Sequence, residues 1–338
     1  MYHLSVIVPV YNAAAFLPAC LACAAEQTVF DQMEWILVDD GSADGSAELC
    51  DAFAAAHENA VVIHQPNSGV SAARNAGLKR AQGVYVGFAD ADDTFAPDYF
   101  EKLLTAAEQT DSDMAYGGLT FDRKEGRRPQ RLFFPAGTVM ERDEIASVFA
   151  RKMLTNGGQN SVWSKVSRRS LLIENDVRFP VGVRIGEDKM FVLTALRFCR
   201  RIVSADTVGY YYRDVASSAM HSDKRMETLL STDDAEMRLF CALGLDEETV
   251  RVKKSVFLFT ELADFLQRAL HVSRGEAKRA AAIHFANDEL MKKIDFALPE
   301  LRANGGRICT MLAAAFQKRS VPQTMAALTL QKLINDRR

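Results

Sequence analysis

The sequence predicts an α/β fold with a mostly parallel central sheet, followed by a C-terminal helical region. Short apolar runs alternate with helical patterns through the first half of the chain, whereas nearly every segment after about residue 225 has a helical pattern. Strict alternation of strands and helices implies right-handed crossovers, which place helices on both faces of a largely parallel sheet. The 338 residues suffice for one large domain or two modest ones.

Each element of the first half follows from its own pattern. The predicted strands are the apolar runs Leu4–Val10, Glu34–Val38, Val61–His64 and Val84–Ala89, and helical patterns cover Ala14–Gln27, Ala47–His57, Val70–Ala81 and Pro97–Thr110. Beyond Phe121 the alternation loosens. The charged run 122–131 is predicted to be a loop, either solvated or in contact with a phosphate or acceptor. Residues 141–155, 161–173 and 186–199 are predicted to be helical, and Ile202–Tyr212 to contain a strand.

The composition is that of an ordinary soluble protein, with 48% hydrophobic and 25% charged residues. A formal net charge of −3 is too small to indicate a nucleic-acid partner. Six cysteines form no dense framework, and the Cys20–Cys23 pair lies in an Ala/Leu-rich stretch that favours small buried helix residues over a metal or redox site. This cysteine pattern predicts a reducing cytoplasm. The sequence shows no basic leader and no long apolar run, so neither a secretion signal nor a membrane span is predicted.

Carboxylates are concentrated where two predicted strands end. Asp39-Asp40 closes one apolar run and Asp90-Ala91-Asp92-Asp93 closes another, which is where ligands bind to open α/β sheets. A third cluster, Glu187-Asp188, follows far downstream. Such carboxylates repel one another unless a cation joins them, and a divalent metal carrying a diphosphate fits this requirement. The pattern therefore indicates nucleotide chemistry.

Spacing separates the members of these clusters. Asp90 and Asp92 lie two residues apart, so on an extended segment both project from the same side and flank one ligand. Asp93 then points away and either serves function or caps the helix that begins near Pro97. The turn after Asp40 has short polar side chains that can accept hydrogen bonds from a base or ribose.

The segment Asn67–Gly77 lies between the first two clusters. Its Gly69 lets a ligand approach the backbone, its helix N-terminus favours an anion, and Arg74 adds a fixed positive charge. An ordinary helix start explains the same small residues equally well. The chain lacks the glycine patterns of a Rossmann dinucleotide site and of a P-loop, so neither class is supported.

Together these motifs resemble the family 2 glycosyltransferases with the GT-A fold, over roughly residues 3–221. The matching segments are Val6–Asn12, Val38–Ser42, Asn67–Gly77, the Asp90-Ala91-Asp92 motif, Ser161–Lys165, Gly186–Asp188 and Tyr211–Arg213 with Ser217-Ser218. The resemblance implies an inverting sugar transferase of bacterial surface-polysaccharide type, with a catalytic domain over 1–221, divided into a nucleotide-binding half (1–115) and an acceptor-binding half (116–221). A helical region over 222–338 follows.

The resemblance also implies residue roles. Asp188 is the expected general base, and Asp92, with His221 as a further candidate ligand, is expected to hold Mg²⁺ or Mn²⁺. The expected donor-binding residues are Pro9, Tyr11, Asp40, Asn67, Gly69, Arg74, Asp90, Ala91, Asp92, Arg213 and Ser218. Trp163, Lys165 and Glu187 are expected at the acceptor. A buried tryptophan with a solvated lysine, and a surface acid at the start of a helix, are the alternatives.

One departure concerns the end of the resemblance, where related proteins often carry a second hydroxyl residue two positions after the serine. Ser218-Ala219-Met220 offers none, and Arg213, Ser217 or His221 would have to replace it. The expected donor is a UDP-sugar and the expected acceptor a saccharide or lipid-linked saccharide, in capsule, exopolysaccharide or lipooligosaccharide synthesis. A metal-dependent nucleotidyltransferase and a non-catalytic partner subunit are the alternatives.

The last 37 residues are basic, with apolar runs among the basic side chains. The basic residues are Arg302, Arg307, Lys318, Arg319, Lys332, Arg337 and Arg338, and the apolar runs are Met311–Phe316 and Met325–Leu330. A basic amphipathic region predicts peripheral contact with the anionic inner face of the plasma membrane, where a lipid-linked acceptor would lie. Plain helical packing or a homodimer interface is the alternative.

Overall fold

The structure, a computed structural model, describes residues 1–123, 126–130, 132–156, 160–183, 185–213 and 225–335. The chain divides into two compact units, one of Met1–Ser222 with Ala242–Gly244 and one of Asp223–Cys241 with Leu245–Arg338. The first unit contains all the described strands, and the second is helical throughout its described elements.

Two sheets form the frame of the first unit. The strands are β1 Leu4–Val10, β2 Met33–Asp39, β3 Ala60–His64, β4 Tyr85–Phe88, β5 Thr94–Phe95, β6 Met114–Tyr116, β7 Leu119–Arg123, β8 Gly126–Gln130, β9 Val139–Glu141, β10 Lys165–Arg168, β11 Arg201–Ser204 and β12 Tyr210–Arg213. In the described chain, the large sheet has the order β3-β2-β1-β4-β10-β6-β11-β9 and the small sheet β5-β12-β7-β8. Four of the seven pairs in the large sheet are parallel.

The four strands predicted in the first half are confirmed, and their ends differ from the prediction by at most one residue. The helices are α1 Leu17–Ala25, α2 Ser46–Ala56, α3 Val70–Arg80, α4 Tyr99–Gln109, α5 Arg142–Glu144, α6 Arg151–Asn156, α7 Arg169–Glu174, α8 Glu187–Leu196, α9 Arg225–Ala242, α10 Glu247–Val272, α11 Arg274–Phe285, α12 Asp288–Asp295, α13 Leu298–Asn304, α14 Arg307–Gln317 and α15 Val321–Asn335. A π-helical segment, Ile145–Ala150, joins α5 to α6, and a 3₁₀ turn, Phe30–Gln32, precedes β2.

Two sequence predictions in the second half of this unit are wrong. Residues 161–173 are predicted to be helical. The prediction holds for residues 169–173, which belong to α7, but Lys165–Arg168 is strand β10, which lies antiparallel between β4 and β6 with Val166 in the core. The charged run 122–131 is not a plain loop, because β7 and β8 pair there as a hairpin. Strand pairing with distant partners outweighs the local helical pattern in the first case, and Pro129 is tolerated because β8 is an edge strand.

The core of the first unit lies against the apolar faces of β1, β2 and β4. Trp35 is fully buried and contacts Phe95 and Phe100 with ring centroids about 6 Å apart. Cys20 is buried in this core, Cys23 is half-buried, and both are free thiols. Cys20 and Cys23 therefore serve as small packing residues of helix α1.

The second unit packs its helices around a cluster of phenylalanines. The Phe259 and Phe285 rings contact Phe316, at centroid distances of 5.0 and 5.3 Å. The apolar side of α14 is used for this packing, since Leu312, Ala313, Ala315 and Phe316 are buried. Internal packing thus accounts for most of the apolar residues in Met311–Phe316, and peripheral membrane contact and dimerisation stay predictions. Within the described ranges, no helix combines the length and apolar composition that a bilayer crossing requires.

A tight turn after β2 depends on Gly41. Its φ of +77° lies in the left-handed region, and a Cβ there would lie 2.9 Å from the Asn67 backbone nitrogen. Gly45, four residues on, has a φ of +93°, but a Cβ at that position would have no heavy atom within 4 Å. Gly41 therefore serves both conformation and close approach, whereas Gly45 serves conformation alone.

We expect Gly41→Ala to destabilise the first unit more than Gly45→Ala. The Gly45 variant bears only the left-handed backbone strain of about 1–2 kcal/mol, whereas the Gly41 variant adds a backbone clash that cannot be relieved by rotating a side chain. Thermal unfolding of both variants beside the wild type measures the difference. Equal melting temperatures for the two variants would contradict the close-approach argument.

Candidate active site

A cleft of about 480 Å³ opens at the carboxyl ends of β1, β2 and β4 and at the N-terminus of α3. Nine of the predicted donor-binding residues line it: Pro9, Tyr11, Asp40, Asn67, Gly69, Arg74, Asp90, Ala91 and Asp92. Arg213 is near its edge, with its guanidinium 5.3 Å from the Phe16 ring, and Phe16 lines the cleft. Ser217, Ser218 and His221 lie outside the described residues.

The turn after β2 shapes one wall of the cleft. The Asp40 carboxylate is 3% exposed and accepts hydrogen bonds from the Ser68 backbone N–H (2.9 Å), the Gly69 backbone N–H (2.8 Å) and Gln65 Nε2 (2.7 Å). Asp40 thereby fixes the loop that leads into α3. Tyr11 also lines the cleft, next to the Val10 carbonyl oxygen that accepts the Asp40 backbone N–H. It is 53% exposed, so its ring is free to contact a planar ligand.

His64 supports this turn from outside. Its Nδ1 lies 3.1 Å from Asp39 Oδ2 and its Nε2 lies 3.0 Å from Asp51 Oδ1, and these contacts raise the pKa of His64. Although burial acts in the opposite direction, hydrogen bonds from Ser42 and His64 lower the pKa of Asp39. The His64 imidazole therefore bridges two carboxylates at the end of β2 beside the cleft.

Arg74 is the centre of the site. Its guanidinium, 4% exposed, donates from Nη1 to Asp188 Oδ1 at 2.7 Å and Glu187 Oε1 at 3.2 Å, and from Nη2 to Asp90 Oδ1 at 2.8 Å. One cation therefore joins the acidic motif after β4 to the acidic pair that begins α8. The sequence placed Arg74 near a donor anion, but did not show that its guanidinium is shared among three carboxylates.

The acidic pair at the start of α8 is held with raised pKa values. Burial raises the pKa of Asp188, the Arg74 guanidinium opposes this, and the charge of Asp90 adds to it. Burial, and then the charge of Asp188, raises the pKa of Glu187 to about 7. Asp188 Oδ2 also accepts a hydrogen bond from the Val162 backbone N–H at 3.3 Å. A carboxylate with a raised pKa beside a cleft is a suitable general base.

The motif after β4 holds three neighbouring carboxyl groups, of which that of Asp90 contacts Arg74. Burial and the charge of Asp90 raise the pKa of Asp92 to about 6, and burial followed by Asp90 and Asp92 raises the pKa of Asp93 to about 8. Asp93 does not cap α4: its Oδ1 accepts the Arg213 backbone N–H at 2.8 Å, and Asp98 precedes α4 instead. The role of Asp93 is therefore to hold β12 beside the motif.

The donor atoms of this motif suit a divalent cation. Carboxylate oxygens are preferred by Mg²⁺ and Mn²⁺, and Mg²⁺ is commonly held by one or two carboxylates and the phosphates of a substrate. Among the described side chains, no group of three or more His, Cys, Asp and Glu forms a metal cage. Asp92, which lines the cleft beside Asp90, fits a site in which one or two carboxylates and the substrate phosphates hold the cation.

Trp163 and Lys165 lie behind the site and not at its surface. Trp163 is 7% exposed and stacks on Tyr210, with ring centroids 4.4 Å apart. Lys165 is 3% exposed and donates from Nζ to the Ser161 carbonyl oxygen at 2.8 Å, and burial lowers its pKa to about 7. Trp163 is therefore buried, as in the alternative interpretation. The solvated lysine of that interpretation is wrong, because Lys165 is buried and stabilises the 161–165 turn, whose Val162 N–H donates to Asp188.

Sequence reasoning assigned no role to Tyr210, which the structure places between two parts of the site. The Asp90 backbone N–H donates to Tyr210 Oη at 3.0 Å, and the ring stacks on Trp163. Tyr210 precedes the matching segment Tyr211–Arg213 and gave only a strand signal itself. Asn75, in the segment Asn67–Gly77, is a second residue without an assigned role.

An open α/β sheet with acidic turns at its carboxyl edge is typical of α/β proteins that bind a ligand at that edge. Residues 5–165 match the family model described as glycosyl transferase family 2. The chain is 30% identical over 250 residues to cholesterol galactosyltransferase from Borreliella burgdorferi, an alignment that covers 69% of this chain and 68% of that protein. The chain therefore belongs to the family 2 glycosyltransferases.

Other relatives agree with this family. The chain is 35% identical over 217 residues to the uncharacterized glycosyltransferase EpsJ from Bacillus subtilis, covering 63% of this chain and 62% of that protein. This alignment and two further ones span 61% to 64% of the relatives' lengths. The crystal structure of TarS 1-349 from S. aureus in complex with UDP superposes with a TM-score of 0.67 at 21% identity, covering 98% of this chain and 92% of that one. The predicted GT-A fold is thus confirmed.

We expect the stabilising effect of His64 to depend on pH. The folded-state pKa of His64 is raised, so its stabilisation is complete at pH values below the unfolded-state pKa and is lost as pH rises through the folded-state pKa. His64→Gln should therefore lower the melting temperature more at about pH 5.5 than at about pH 8.5. Asp51→Asn, which removes the exposed partner only, should reduce this pH dependence without abolishing it. A His64→Gln effect that is equal at both pH values would contradict the argument.

Proposed function

We propose that this glycosyltransferase moves a sugar from a UDP-sugar donor to an acceptor hydroxyl with inversion at the anomeric carbon. The supporting observation is the joint contact of Arg74 with Asp90 on the donor side and Asp188 on the acceptor side. We assign catalysis to residues 1–221, with the nucleotide in 1–115 and the acceptor in 116–221, and treat 222–338 as an accessory helical region. The pathway we propose is capsule, exopolysaccharide or lipooligosaccharide synthesis, with a saccharide or lipid-linked saccharide as acceptor.

The donor binds in the cleft between Tyr11 and the acidic motif in this proposal. Tyr11, Pro9 and Asp40 face the base, and Asp90 faces the ribose. TarS was crystallised with UDP, which supports a uridine donor here. Family membership argues against the nucleotidyltransferase alternative, and the presence of both Asp92 and Asp188 argues against a non-catalytic relative.

Asp188 acts as the general base. Its carboxylate accepts the proton of the acceptor hydroxyl while the acceptor oxygen forms a bond to the anomeric carbon. The bond from that carbon to the diphosphate oxygen breaks at the opposite face, so the configuration inverts. Glu187 is placed to tune the base, because it shares the Arg74 Nη1 donor with Asp188 and the charge of Asp188 raises its pKa. General-base assistance contributes about 10²–10⁴-fold to a rate.

Asp92 is the residue that would hold Mg²⁺ or Mn²⁺. A bound divalent cation would supply charge neutralisation for the diphosphate leaving group. The Arg74 guanidinium already contacts three carboxylates, so the cleft keeps an excess of negative charge. Diphosphate binding without a cation would bring like charges together.

The function is tested by a donor screen that scores nucleotide diphosphate release with a panel of nucleotide sugars and saccharide acceptors. We expect release above background with a UDP-sugar, and a loss of about 10²-fold or more in Asp188→Asn, because only the transition state needs the base. Turnover of the wild type should rise with pH across the raised pKa range of the acidic pair, since the base must be deprotonated.

The exposed Asp206, which lies on the surface of the same unit, provides the matched control. Asp206→Asn makes the same chemical change and should keep the wild-type rate. An Asp188→Asn variant with near-normal turnover would place the base elsewhere, and no release with any nucleotide sugar would overturn the proposed function.

Metal dependence is tested by calorimetric titration of the enzyme with UDP in Mn²⁺ and in EDTA. We expect binding to weaken strongly in EDTA, because the Asp92 carboxylate then faces the phosphates without a cation between them. Asp92→Asn should lose most of the gain that Mn²⁺ provides, whereas Asp188→Asn should keep it. Equal affinity in both buffers would contradict the role proposed for the cation.

A further inference from the structure

Asn75 makes two reciprocal hydrogen bonds with a single residue far along the chain. Its Nδ2 donates to the Phe179 carbonyl oxygen at 2.9 Å, and the Phe179 backbone N–H donates to Asn75 Oδ1 at 2.9 Å. The side-chain amide therefore pairs with the backbone of Phe179 as a neighbouring strand would. Asn75 belongs to α3 and directly follows Arg74, whereas Phe179 lies in the segment between α7 and α8.

The Phe179 ring fills the space between three elements of the site. It is 2% exposed and stacks on Phe191 of α8, with centroids 4.1 Å apart and an interplanar angle of 9°. The edge-to-face contact with Phe88 of β4 has a centroid distance of 5.2 Å. On another side the Arg74 guanidinium carbon lies 5.3 Å from the ring centroid. Phe179 thus touches both the cation of the site and the helix that begins with the acidic pair.

We propose that Asn75 is a positioning residue for the transfer reaction, which fixes Phe179 and thereby holds Arg74 and the start of α8 in register with each other. This inference rests on the proposed function, because it matters for catalysis only if Asp188 is the base. Arg74 reaches Asp188 and Glu187 from α3, so a shift of α8 relative to α3 changes all of these contacts together.

The two hydrogen bonds of Asn75 fix the distance between α3 and the Phe179 backbone. Replacing Asn75 by alanine leaves the Phe179 N–H and carbonyl without these partners in a buried setting, so the segment before α8 gains freedom. A displacement of about 1 Å at a reacting group lowers a rate by as much as about 10²-fold. Asp40 and Tyr11, which line the proposed nucleotide site, are not held by the two Asn75–Phe179 hydrogen bonds, so donor binding should persist.

Asn59 offers a matched control in the same unit. Its Nδ2 donates to the carbonyl oxygens of Phe30 and Met33, at 2.8 and 3.0 Å, away from the residues that line the cleft. Asn59→Ala and Asn75→Ala each remove two side-chain hydrogen bonds to backbone. Both should lower the melting temperature, and only the second should act on catalysis.

The experiment compares these variants in the full chain by steady-state kinetics, with the donor found in the screen, and by hydrogen exchange with mass spectrometry. For Asn75→Ala we expect kcat to fall by about 10- to 100-fold with the donor KM within about twofold of wild type. Exchange in peptides that cover residues 177–192 should be faster. Asn59→Ala should keep kcat and should show faster exchange only near residues 28–35.

A kcat for Asn75→Ala within about twofold of the Asn59→Ala value would overturn the proposal, as would unchanged exchange over residues 177–192. Asn75→Asp, which keeps the acceptor for the Phe179 N–H but not the donor to its carbonyl, carries the same comparison if the alanine variant does not fold. A failure of the proposed function gives a different result, because Asp188→Asn would then remain active. The exchange data would still report whether Asn75 holds Phe179.

Discussion

The site depends on one buried cation shared by three carboxylates. Arg74 is 4% exposed, and a buried charge of this kind is strongly unfavourable unless it is paired and hydrogen-bonded. Its partners come from the turn after β4 and from the first turn of α8, so their mutual repulsion is relieved only when both segments meet at α3. Burial, the Arg74 guanidinium and the charge of Asp90 then set the proton affinity of Asp188, which is the property that a general base requires.

A cluster of buried aromatic side chains also connects the two acidic segments of the site. Tyr210 accepts the Asp90 backbone N–H and stacks on Trp163, and Tyr99 Oη donates to the Trp163 carbonyl oxygen at 2.9 Å. The turn that contains Trp163 also presents the Val162 N–H to Asp188, and Lys165 ties that turn to the strand that follows. The two acidic segments are therefore connected both through Arg74 and through buried aromatic side chains, which limits their independent movement.

The strand ends and their acidic turns were predictable because both depend on local sequence. Apolar runs of strand length predicted β1 to β4, and the carboxylates after β2 and β4 followed from their position at the ends of those runs. The segment Ser161–Lys165 was harder, since its local pattern is helical while β10 forms through pairing with β4 and β6. Burial of Trp163 and Lys165 follows from that pairing, and no local signal reveals it.

The sequence by itself determined the order of the strands and helices in the first half, the chemical identity of the motifs and the edge of the sheet at which they gather. Only the tertiary structure decided that Arg74 pairs with three carboxylates, that Asp93 accepts a hydrogen bond from β12 and that Asn75 hydrogen-bonds to the Phe179 backbone. The physical reason is the distance along the chain: Arg74 and Asp188 are 114 residues apart, and Asn75 and Phe179 are 104. Contacts at such separations are set by the packing of whole elements, which the pattern around any one residue does not contain.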